Sequence, residues 1–143
     1  MSGVIDQIGS NSGFVGETVK KHQYTTLANS WVVWSTSPDT THEGGVTIQN
    51  TGRVWIANIS AEKNFGGTGT GYEIIVNIKT AGGSFTMPRG VVTLGMQHFG
   101  NSSDNDYISL LELHSSGNLY IYYNNSSTNY LQIHGNFIGL DVS

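Results

Sequence analysis

A chain of 143 residues with a net charge of −4, six lysines and arginines and no cysteine is sized for a single domain. The absence of cysteine excludes disulfides, cysteine-ligated metal and thiol chemistry. The scarcity of basic residues argues against nucleic acid, whose phosphates demand a basic stripe. Nineteen glycines and two prolines beside 37% hydrophobic and 10% aromatic residues describe a turn-rich β protein.

Residues 1–20 differ in texture from the rest. Ser2-Gly3-Val4-Ile5 returns as Ser12-Gly13-Phe14-Val15, with Ile8-Gly9 between and Val15-Gly16 overlapping the second copy. Glycines this dense do not sustain a helix, and apolar pairs this sparse do not build a core. The pattern predicts an extended arm whose Val4, Ile5, Ile8, Phe14 and Val15 insert into pockets on another protein, ahead of a head spanning 21–143. No positively charged start and no apolar run of leader length is present, so export by a standard signal is not expected. No segment approaches the ~18 apolar residues of a membrane helix, so no membrane partner is expected either.

The opening, Ser-Gly-Val-Ile, then Ile-Gly, then Ser-Gly-Phe-Val-Gly, resembles the start of structural proteins of tailed bacteriophages, where a common N-terminus precedes differing β modules. The likeness covers about a ninth of the chain. It implies a virion protein, assembled in the host cytoplasm, whose N-terminus docks on other virion proteins, either the major capsid protein or the baseplate.

Beyond residue 20 the chain alternates short apolar runs with turn residues. Runs at 24–27 and 31–34 are divided from the next by Ser37-Pro38-Asp39 and Gly44-Gly45. Runs at 46–48 and 54–59 flank Asn50-Thr51-Gly52, a hairpin connection. In the second of them Val54 and Ile56 share one face and Trp55, Ala57 and Ile59 the other, which predicts a strand covered on both sides. Residues 64–71 form a glycine-rich loop. They lack the lysine and the following helix of a phosphate cradle, because residues 72–79 are strand-like. A turn at 81–83 leads to Phe85, Pro88 and Gly90 and a strand over 91–99. Three consecutive strands then occupy 107–114, 118–123 and 130–140, the last interrupted at Gly135.

Eight to ten short antiparallel strands and no helical periodicity give an all-β fold, a β-sandwich or jelly roll. The Phe85, Pro88, Gly90 segment, the long strand and the closing Gly135-Asn136-Phe137-Ile138 loosely resemble the jelly-roll head of the tumour-necrosis-factor and complement type. That likeness implies a homotrimer.

Chemistry-bearing residues are few. His22, His42, His98, His114 and His134 contain no i, i+2 or i, i+4 pair, and Asp104 and Asp106 sit in a loop without the spacing of a calcium site. No metal or other cofactor is expected. Glu73 and Glu112 are the one carboxylate pair placed on strands, and no nucleophile elbow occurs, so the chain is read as no enzyme. Tyr120, Tyr122, Tyr123 and Tyr130 surround an Asn/Ser loop and suit either a subunit interface or the ring of a host glycan. The expectation is a trimeric capsid decoration protein held by its arm, with a receptor-binding head on the tail as the alternative.

Overall fold

The computed structural model describes residues 19–34, 44–67, 69–99, 107–125 and 130–143. The arm residues Val4, Ile5, Ile8, Phe14 and Val15, together with His42, Asp104 and Asp106, lie outside the described residues. Within them the chain is all-β and antiparallel, as the alternating runs predict. The strands are β1 (Lys20–Tyr24), β2 (Val32–Val33), β3 (Gly45–Thr51), β4 (Val54–Asn64), β5 (Gly69–Asn77), β6 (Val91–Phe99), β7 (Tyr107–His114), β8 (Asn118–Asn125) and β9 (Tyr130–Leu140).

These strands form one nine-stranded sheet in the order β1-β3-β4-β9-β6-β7-β8-β5. The two-residue β2 takes up the edge of β4 where β3 leaves off, pairing Val32 with Glu62 and Val33 with Ala61. The last strand, β9, lies between β4 and β6, pairing Trp55 with Gly139 and Gly95 with Ile138. The sheet curls so that its two edges approach. The loop after β1 closes onto β5: Ala28 N–H donates to Ile75 C=O at 2.7 Å and Asn29 Nδ2 to Ile74 C=O at 2.7 Å. These bonds satisfy backbone groups of an edge strand that would otherwise be free to recruit another chain.

Period-two alternation decides which side chains line the interior of the roll. Trp55, Ala57 and Ile59 of β4, Leu111 and Leu113 of β7, Leu119 and Ile121 of β8, and Leu131, Ile133 and Phe137 of β9 are buried there. Successive Ile75 and Val76 are both buried because a bulge shifts the β5–β8 register between Ile74 and Val76. One end of the roll is closed by Trp31 and Phe65, whose rings meet edge to face at 6.0 Å. At the other end Phe85 packs on Trp55 at 5.7 Å.

Three expectations are corrected. Residues 64–71 are not one loop, because β4 runs to Asn64 and β5 begins at Gly69. β9 passes unbroken through Gly135, which pairs with Ile59. The second layer expected over Val54 and Ile56 is not found among the described residues: both are half-buried on the outer face.

Tyr24 illustrates the cost of closing the roll. Its ring is buried and its hydroxyl donates to Gly82 C=O at 2.7 Å. Burial pushes the phenol up to about 12. A folded-state value above that of the unfolded chain gives stability that is complete below pH 10 and is lost as pH rises toward 12. In thermal melts from pH 8 to 12.5, Tyr24→Phe is therefore expected to be the less stable protein at the low end by about 1 kcal/mol. The gap to the unmodified chain should close at the high end. A gap that is constant with pH would show that Tyr24 ionises in the folded state as freely as in the unfolded one.

Candidate functional site

The outer face of the roll carries two of the four predicted tyrosines, Tyr120 and Tyr122, and the sheet adds a residue to them. Tyr120 and Tyr122 alternate with the buried Leu119 and Ile121 on β8 and so point outward. The register sets Tyr72 of β5 directly opposite Tyr122 and Glu112 of β7 opposite Tyr120. The Tyr72 and Tyr122 rings stack, with centroids 5.0 Å apart and planes 17° off parallel, and Tyr120 is tilted against Tyr72 at 5.5 Å. Tyr72 is 60% exposed, which leaves much of the ring open.

Polar groups border this aromatic surface. Tyr122 donates its hydroxyl to Glu112, and His114 Nε2 lies 3.0 Å from Glu112 Oε2. The His114 ring rests 4.6 Å from that of Tyr120. Partial burial, reinforced by the charge and hydrogen bond of Glu112, raises the Tyr122 phenol above its ordinary value. The result is an outward aromatic platform of stacked and tilted rings with a carboxylate and an imidazole at its edge. It offers a hydrophobic face and directional hydrogen-bond partners to whatever covers it.

Tyr123 goes the other way. It packs on Phe65 at 4.7 Å at the Trp31 end of the roll, and burial raises its phenol. Tyr130 begins β9, and its side chain, like those of His98 and His134, lies outside the described residues. The two carboxylates singled out from the sequence do not meet. Neighbouring positions on β8 face opposite sides: Glu73 sits beside the inward Ile121, whereas Glu112 sits beside the outward Tyr120. Glu73 instead accepts from Trp31 Nε1 at 2.6 Å and pairs with Lys63, half-buried at the closing end of the roll. Among the described residues no group of three potential metal ligands occurs.

The platform continues as a row. From Tyr72 and Tyr122 the registers lead to Leu110, Gly95, Ile138 and Ile56, crossing from β5 to β4. Ile138 is 36% exposed and Leu140, further along β9, 55%. A second feature lies at the Trp55 end. There a cleft of about 530 Å³ is lined by Asn50, Arg53, Trp55, Met87, Arg89 and Asp141, among others. The buried Trp55 Nε1–H has no hydrogen-bond partner, a deficit worth about 1–3 kcal/mol. Sequence reasoning missed Tyr72, which joins its site through pairing between distant strands, and both arginines, which a turn and a loop distant in sequence bring to one cleft.

No family model, no curated protein and no solved structure matches this chain.

Proposed function

We propose that this chain is a surface protein of a tailed-bacteriophage virion, a homotrimeric capsid decoration protein whose N-terminal arm docks on the shell. The resemblance of residues 1–16 supplies the class. The observation that supports an assembly role is the apolar row across the outer face, from Tyr72 and Tyr122 through Leu110 to Ile138 and Ile56. Side chains of this kind on one face of a sheet favour contact with another protein surface. In the decoration reading, copies of the head bury this row against one another and the arms extend across seams between capsid subunits. The exposed Tyr72 ring favours a second reading, in which the same platform of a tail-borne head stacks on a host glycan.

Two measurements test the proposal. Native mass spectrometry should give a trimer for the chain and a monomer for Ile138→Arg, because a guanidinium driven into a buried apolar contact is left without a partner. An image reconstruction of the particle should place the chain on the shell. Density at the tail tip with Tyr72 facing outward would replace decoration with adhesion. A chain that is monomeric at all concentrations would remove the trimer.

A further inference from the structure

The cleft at the Trp55 end stands apart from the tyrosine platform and is independent of the virion reading. The chain has two arginines, Arg53 and Arg89, and both line this cleft although they are far apart in sequence. The β3–β4 turn carries Arg53, and the segment entering β6 carries Arg89. Among the described residues neither guanidinium is engaged in an ion pair within bonding distance. The nearby Asp141 carboxylate is instead occupied by Ser143, through both its backbone N–H at 3.0 Å and its hydroxyl. The ionised state of Asp141 is favoured chiefly by those two bonds, with the charges of Arg53 and Arg89 adding less.

We propose that this cleft is a binding site for a sugar acid, a hydroxylated ring bearing a carboxylate. Two guanidinium forks match the two oxygens of a carboxylate, and arginine is the side chain suited to that planar, bidentate contact. The cleft also holds groups for hydroxyls. Asn50 donates its amide hydrogens to Gly52 and Val54 C=O, which leaves its Oδ1 as an acceptor. Thr86, with its hydroxyl, and Asp141, with a second carboxylate oxygen, also line the cleft. Trp55 also lines the cleft, and its indole N–H is buried without a hydrogen-bond partner. The ionised Asp141 lining the cleft disfavours a doubly charged phosphate more than a singly charged carboxylate.

The test is a titration of the isotope-labelled full chain with tetragalacturonate and with 3′-sialyllactose, following the Trp55 indole resonance. At least one of them should shift it, while the methyl ester of tetragalacturonate should not. Arg53→Gln/Arg89→Gln should weaken binding by at least about tenfold. Both arginine side chains are exposed, so the double variant should keep the parent spectrum elsewhere. The proposal fails if neither acid moves the resonance at about 10 mM, where even a millimolar site would be well filled. It fails equally if the ester binds as well as the acid. Preferential binding of a hexaglutamate peptide would assign the arginines to a protein partner, and displacement by equimolar phosphate would make this a general anion site. Either result would overturn the sugar-acid assignment.

Discussion

Deleting residues 2–16 is expected to abolish binding to purified particles and leave the head folded. The deletion removes Val4, Ile5, Ile8, Phe14 and Val15, the apolar residues assigned to docking, and stops short of β1, which begins at Lys20. Among the described residues the sheet is built from strands that begin at Lys20 and pair with one another. Circular dichroism and the melting temperature of the truncated chain should match those of the parent, while co-sedimentation with particles should fall to background. Full retention of particle binding would refute the arm and shift attention to the outer apolar row. Loss of the fold together with binding would show instead that residues 2–16 belong to the head.

Phe137→Ala is expected to produce the largest loss of stability among single substitutions in β9. Phe137 is fully buried and pairs across the ladder with Ala57, so the small residue makes room for the large ring. Truncation leaves a cavity that the flanking β4 and β6 backbones, fixed by their ladders, do not collapse to fill. Phenylalanine-to-alanine changes in such sites cost about 3–5 kcal/mol. For a chain of this size that corresponds to a fall in Tm of roughly 6–20 °C. Phe137→Leu, which keeps most of the volume, should cost about 1.5 kcal/mol or less. Urea denaturation of both variants checks the ordering. Equal losses would mean that the ring is not filling a fixed space.

The parts of the fold legible in the sequence are those fixed by neighbouring residues. The β7–β8 hairpin was marked by Ser115-Ser116-Gly117 between two alternating runs, and Gly117 does take a positive φ of 88°. The outward direction of Tyr120 and Tyr122 followed from alternation alone. β1 was less visible, because Lys20, Lys21, His22 and Gln23 carry none of the apolar marks of a strand. Their polarity suits an edge, where the pattern that announces a buried strand is absent. In the sequence Gly135 reads as a break, since a glycine that continues a strand looks like one that ends it. Gly139 shows what such a residue can be for: a Cβ there would come within 2.4 Å of Thr93 O, so the bare backbone lets β9 press against β6. The joining of Tyr72 to Tyr122 depends on a register between distant strands, and that of Arg53 to Arg89 on a turn and a loop meeting at one cleft; no local window contains either.

The central place of β9 bears on how the protein is made. Strands β1 to β4 belong to one half of the sheet and β5 to β8 to the other, and in the strand order the halves are joined through β9. A ribosome, working at about 5–20 residues per second, delivers that strand only after the eight before it. Until it emerges, the nascent chain holds open the inner edges of β4 and β6, each a template for a foreign strand. Joining of the halves therefore waits until both have been made, and a β9 lent by a neighbouring copy would satisfy the same two ladders as the chain's own.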